Sequence, residues 1–364
     1  MSLVRACKMP AVTKLDLEEF LDILKQLVRH PSVVGSEHAF FRYLQRELEE
    51  THATVTLYEG LLVASGTQPD RMHISAHVDR HGLICTGPNE FQYAAFVARN
   101  RGDLLGDSVS EQTFQTIAER FHERFVQAYV PWSGTYLGKG TIKRSYLCER
   151  RGNLVFEVEG LDHVLPGTPV AYQDRLSISY GRVSAQLDNV LTTAMLIYLF
   201  RQGFQGTALF TAQEEAGRSW RFLLEWFRRC GIETQDLLVL DTSPFPDIAT
   251  ADAQQVVLRK RDANAIFNPQ MVAKLEEACQ KFGIRYMFKD EMLAKQNEQR
   301  VAEGKNPTSL GSTELGRVAS ASEGTIQGAT LQVPTTGYHT PEESAALSSI
   351  EAILDVLCEV ALEE

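Results

Sequence analysis

The sequence predicts an α/β protein: a mainly parallel sheet flanked by helices, interrupted by an inserted, smaller, mainly β domain. Three observations carry this expectation. After residue 188, apolar runs of strand length alternate with helical patterns, the order that builds a parallel sheet covered on both faces. From Gly82 to about Ser179, glycine and proline punctuate short β-prone runs, among them FQYAAFVA, NLVFEVEG and TPVAYQ. Of the 364 residues, 44% are hydrophobic and 23% charged, enough apolar material for one large core or two unequal ones. The expected division is 1–81 plus 180–364 for the α/β part and 82–179 for the insert.

Taken in order, the chain opens with a helix over 15–28 (LDLEEFLDILKQLV), whose apolar residues recur at three- and four-residue spacing. A second amphipathic helix is expected over 37–50. TVTLYE, LLVASG and RMHISA follow as strands. Within the insert one helix is expected over 111–127. Beyond it come a helix over 189–200, the strand GTALFTA, a helix over 218–229, the strand LLVL, a helix over 268–282, the strand ATLQVP and a final helix over 342–362.

Composition excludes several classes of function. The net charge of -11 repels phosphate backbones, so nucleic acid is not an expected partner. The longest apolar stretch, 190–200, is too short to cross a bilayer, and no membrane partner is expected. The N-terminus lacks the apolar core and small-residue cleavage site of a signal peptide. Six cysteines stand alone, with no C-x-x-C pair. That pattern speaks against a thiolate zinc site and for a reduced, cytoplasmic protein.

The chemistry is expected where polar residues meet strand ends. RMHISA delivers His77-Val78-Asp79, GTALFTA delivers Gln213-Glu214-Glu215, LLVL delivers Asp241, and ATLQVP leads to His339. Asp188 stands just before an apolar helix. In open α/β sheets ligands bind beyond the carboxyl ends of strands. Imidazoles and carboxylates are the ligands of catalytic zinc. Two ions need a bridging carboxylate, and a further carboxylate must take a proton from water. In H-x-D on an extended segment the two side chains share a face, so Asp79 could orient His77. Each residue alone has a plainer reading: Asp188 as a helix cap, Asp241 as a cap or turn, His339 as a loop histidine, Glu214-Glu215 as a solvated helix face. The glutamates fit that last reading badly, because six strand-like residues precede them.

The order H-x-D, L-D-N, E-E-x-G, D and late H-x-P resembles the co-catalytic zinc exopeptidases. The wide gap between His77 and Asp188 narrows the resemblance to the aminopeptidase branch with an inserted β domain, which includes tetrahedral and deblocking aminopeptidases and endoglucanase M-like proteins. It runs from about Leu15 to the C-terminus. It implies a zinc exopeptidase-like sheet and an aminopeptidase acting on peptides through two divalent metal ions, zinc, with cobalt or manganese as alternatives. One ion would be held by His77, Asp188 and Asp241, the other by Asp188, Glu215 and His339. Glu214 would be the general base and Asp79 the carboxylate behind His77. Homo-oligomers, dimers or dodecamers, are implied by the same likeness; substrate-binding residues are not. Two other readings stay open: cleavage of acyl-amino acids or other amides, and a silent scaffold.

Three departures from the family pattern lie close to these motifs. Arg80 and His81 occupy D-R-H-G, where the family has a small or acidic residue and an aliphatic one. Arg218-Ser219-Trp220 follows E-E-x-G in place of small residues. Thr313-Glu314-Leu315 stands for T-D-A. His81 is expected to be structural, with an additional polar group at the site as the alternative.

Overall fold

The computed structural model describes residues 16–99, 110–148, 150 and 153–362. An eight-stranded sheet runs through the larger region in the order Thr54–Tyr58, Leu61–Ser65, Thr207–Thr211, His73–His77, Thr234–Pro244, Ile326–Thr335, Val256–Leu258, Tyr286–Phe288. Its four middle strands, from Thr207–Thr211 to Ile326–Thr335, are mutually parallel. The flanks bring in the antiparallel pairs. The parallel strands are buried along most of their length, as expected where helices cover both faces.

Helix Val190–Arg201 is buried on every side. An all-round apolar helix belongs in a core, and this one packs behind the centre of the sheet. The N-terminal helix Leu17–Arg29 covers it, with Phe20 edge-on to Tyr198 at 6.2 Å. Asp16 caps that helix by accepting from the N–H groups of Glu18 and Glu19 at 3.1 Å each. Leu15, where this helix was expected to begin, and Cys7 lie outside the described residues.

The insert closes into a barrel of strands Leu83–Gly87, Glu90–Tyr93, Asn153–Glu159, Tyr136–Cys148, Phe125–Tyr129 and Pro169–Tyr172, in that order. It has an apolar core of its own, centred on Phe91, Phe121 and Phe156. Gly82, the last residue of D-R-H-G, enters the barrel. A Cβ there would lie 2.7 Å from the Val170 carbonyl oxygen, so the motif ends in the one residue without a Cβ.

Several expectations need correction. FQYAAFVA is not one strand: Glu90–Tyr93 is extended, and the alanine-rich continuation forms helix Ala94–Arg99, in keeping with alanine's helix propensity. The helix over 111–127 stops at Phe121. Phe125–Tyr129 is a barrel strand instead, its aromatic and β-branched residues fitting a pleated surface. The last helix begins at Leu347, not at 342, because Ser344–Ala346 pairs with Arg182–Ser184. Strand Tyr136–Cys148 and helices Lys289–Ala302 and Glu314–Ala321 were not anticipated. No helix among the described residues is long and apolar enough to cross a membrane.

Candidate active site

The four parallel strands present their carboxyl ends side by side, and the expected residues gather there. His77 is the last residue of its strand. Asp241 lies late in Thr234–Pro244. Glu214 and Glu215 follow Thr207–Thr211 on a turn, and His339 follows Ile326–Thr335. Asp188 arrives from the other side, ahead of the buried helix, through a cis peptide bond to Asn189. Asn189 donates to the Leu240 carbonyl at 3.0 Å, and Thr193 donates to the His77 carbonyl at 3.3 Å. The helix start is thereby tied to the two strands that carry His77 and Asp241.

The distances divide the site in two. His77 Nε2 lies 3.2 Å from Asp188 Oδ1 and 3.5 Å from Asp241 Oδ1. His339 Nε2 lies 3.7 Å from Asp188 Oδ2 and 3.4 Å from Glu215 Oε1. The two oxygens of Asp188 thus face opposite clusters. His81 joins the second: its Nε2 is 2.8 Å from Glu215 Oε2, and its ring centroid is 3.6 Å from that of His339. Ligand-type atoms of His77, Asp188 and Asp241 lie within 4.8 Å of one another, as do those of His81, Glu215 and His339. His81, expected to be structural, thus lies against Glu215 and His339.

The residues present suit a divalent cation. His77 Nδ1, His81 Nε2, Asp188 Oδ1, Glu215 Oε1 and His339 Nε2 are buried without a hydrogen-bond partner. Buried polar atoms are otherwise paired almost everywhere in proteins. All but His77 Nδ1, which lies toward Asp79, are turned into the two clusters, a mixture of imidazole and carboxylate that zinc takes.

The electrostatics agree. Burial opposes charge on His77, but Asp188, Asp241 and Asp79 overcome it and hold its pKa well above the usual value. Burial pushes His81 down to about 3, with Asp188 pulling upward and Arg120 downward. His339 is depressed by burial first and then by His81 and Arg120. Burial raises the Glu214 carboxyl to about 8; Asp241, Asp79 and Glu314 add to this and His77 opposes it. Glu215 is raised well above the usual range by burial and then by Asp188. So many carboxylates crowded together cannot all ionise cheaply without a cation among them.

Sequence reasoning missed several supports. Asp79 spends its oxygens mainly on the backbone N–H groups of Glu214 and Glu215, at 2.9 and 3.0 Å; its contact with His77 Nδ1 is longer, at 3.5 Å. Glu343 accepts from Leu187 N at 2.6 Å, from Asp188 N at 2.8 Å and from His339 N. It ties the Asp188 loop to the His339 loop. Gln213 and His339 sit at φ of 61° and 62°, left-handed positions that cost side-chain-bearing residues energy and recur at functional sites.

The departures from the motifs resolve differently. Arg80 turns away from the clusters, donating to Ser32 Oγ at 2.8 Å, to Val28 O at 3.3 Å and to His30 O. Beyond it lies a separate cavity of about 580 Å³, lined in part by Lys25, Arg29, Tyr129 and Asp174 and by none of the seven expected site residues. Arg218 donates to Ala98 O at 2.9 Å. Glu314 is buried beneath the site, accepting from Ser75 Oγ at 3.0 Å and Thr211 Oγ1 at 2.8 Å, and braces the strands that lead to His77 and Glu214. The insert also reaches the site. Tyr93 Oη meets His81 Nδ1, and Arg120 Nη1 lies 3.2 Å from His339 Nδ1.

A parallel α/β sheet with imidazoles and carboxylates converging at its carboxyl edge, joined to a small β-barrel, is the architecture of a metallopeptidase. The M42 glutamyl aminopeptidase family profile matches residues 157–356; the chain belongs to this family, and with it to the metal-dependent aminopeptidases. Among solved structures it is similar in fold to the TET1 peptidase of Pyrococcus horikoshii, which can assemble into a tetrahedron or a large octahedral shell. There the identity is 19% and the TM-score 0.65, over 95% of this chain and 100% of that one. An aminopeptidase from the archaeon Desulfurococcus kamchatkensis matches at 14% identity and a TM-score of 0.69, over 94% of each chain. An endoglucanase from Thermotoga maritima matches at 14% and 0.62, over 93% of this chain and 96% of that one. No curated protein sequence matches the chain.

Proposed function

We propose that the chain hydrolyses N-terminal residues from peptides with the help of two divalent ions, zinc first, with cobalt or manganese able to substitute. The carrying observation is Asp188, whose two oxygens face two groups of ligand-type atoms, one with His77 and Asp241 and the other with His339 and Glu215. His77, Asp188 and Asp241 would hold one ion, and Asp188, Glu215 and His339 the other. Bound there, the pair would lower the pKa of a water and polarise a scissile carbonyl. Glu214 would take a proton from the attacking water and return it to the departing amine. Asp79 fixes the backbone that carries Glu214 and Glu215, and so sets where the base stands.

The division of the chain into 1–81 plus 180–364, with 82–179 inserted, is part of the same reading, as are a cytoplasmic location and a homo-oligomer. Phe125, Trp132, Tyr136 and Leu165 on the insert are exposed apolar residues, which supports contacts between copies through the barrel. The test of the function is Glu214→Gln. Turnover of aminoacyl-anilides should fall by about 10²–10⁴-fold while elemental analysis still finds the metal of the unaltered protein. Full activity would remove the base assignment, and turnover of N-acyl amino acids in place of anilides would redirect the substrate.

A further inference from the structure

The second cluster contains one group more than the motif resemblance supplies. His81 is 4% exposed, its Nε2 has no hydrogen-bond partner, and yet that nitrogen sits 2.8 Å from Glu215 Oε2. A lone pair and a carboxylate oxygen held that close repel each other unless a proton or a cation lies between them. The other side of the ring offers an acceptor for the Nδ1 proton. Nδ1 meets the Tyr93 hydroxyl, which can accept as well as donate. In the tautomer whose Nδ1–H donates to Tyr93 Oη, the Nε2 lone pair faces Glu215 and the neighbouring His339. Outer partners of this kind fix the tautomer of metal-binding histidines. His339 is less well prepared, because its Nδ1 faces Arg120, and a guanidinium only donates.

Resting on the metallopeptidase reading, we propose that His81 is a direct ligand of the second ion, making that position a two-imidazole, one-carboxylate site completed by Asp188. Tyr93 is its positioning residue. The added imidazole biases the second position towards borderline ions such as Zn²⁺ and Co²⁺ and away from harder Mn²⁺. The first position, with one histidine and two aspartates, lacks this bias.

The test uses the full chain stripped of metal and titrated with Co²⁺, followed by visible absorption and calorimetry, in parallel with Mn²⁺. The variants are His81→Ile, which places an aliphatic residue where the resembling family has one, and His81→Phe, which keeps a ring. The unaltered protein should take two ions. Both variants should keep one site unchanged and bind the second Co²⁺ at least about tenfold more weakly, with a smaller loss for Mn²⁺ and a shifted Co²⁺ spectrum for that site. Tyr93→Phe should weaken the second Co²⁺ by a lesser factor. Two tight sites and an unaltered spectrum in both His81 variants would overturn the ligand assignment, as would equal weakening at both sites together with a lower melting temperature of the metal-free variants. If the unaltered protein bound no ion, the metallopeptidase reading itself would fail, which is a separable outcome.

Discussion

The two halves of the site are built differently. His77 and Asp241 stand on core strands, and Asp188 stands before a buried helix, its backbone N–H held by Glu343. Glu215 and His339 stand on turns, His81 stands between a bridged residue and the first barrel strand, and the insert reaches two of them through Tyr93 and Arg120. The comparison teaches that a rigid sheet edge carries most of one cluster, while the other stands outside the sheet and is contacted by the barrel. Sites on strands are also the more exact, because packing locks their rotamers.

The largest expected effect comes where the halves meet. Asp188→Ala should abolish binding at both clusters and reduce turnover by at least about 10³-fold; elemental analysis that still found two tight ions would break the idea of a shared carboxylate. Glu343→Ala removes the acceptor of three backbone N–H groups on the two loops. Its buried donors would lose their partner, so the metal-free protein should lose about 2–4 kcal/mol in a denaturant melt. An unchanged midpoint would mean that the loops hold without it.

The pH dependence should separate the metal-free from the loaded protein. Burial, aided by Asp79, raises Glu37 to about 8, and Glu214 reaches a similar value. A carboxyl whose pKa is higher folded than unfolded stabilises the fold while protonated, and that contribution fades as pH rises through the folded value. The depressed His81 and His339 act only below their ordinary pKa of 6.5. From about pH 6.5 to about pH 8 the melting temperature of the stripped protein should therefore fall by several degrees. Bound ions should flatten that slope by supplying the missing positive charge. A flat profile without metal would contradict the crowding of carboxylates described above.

The smallest effect should be confined to the second cluster. Arg120→Ala removes a cation beside His339 and frees Nδ1 to carry the proton, so the second ion should bind about two- to fivefold more tightly in a calorimetric titration. Weaker binding would instead mean that the guanidinium supports the cluster.

Legibility in the sequence followed the same line. His77, Asp241 and the two glutamates could be found because each follows a short apolar run, and parallel strands send such residues to one edge. Asp188 could be found from its place before an apolar helix. Glu343 could not, since a glutamate in a polar loop has no local mark of burial. Neither could Tyr93 or Arg120, whose importance depends on how the barrel docks. His81 offered one signal, an imidazole in place of an aliphatic residue in D-R-H-G, but its meaning depended on Glu215, more than a hundred residues away. Helix ends misjudged at 127 and 342 failed for a related reason: strand pairing with distant partners overrode local helical pattern.

By itself the sequence determined the layers of the fold and the chemical types at the strand ends, because hydrophobic periodicity and residue identity are local properties. Tertiary structure alone decided that His81 belongs with Glu215 and His339, that Arg80 does not, and that Glu343 and the barrel hold the loops in place. Contacts between segments far apart in the chain depend on the packing of whole elements, and no short stretch of residues encodes that.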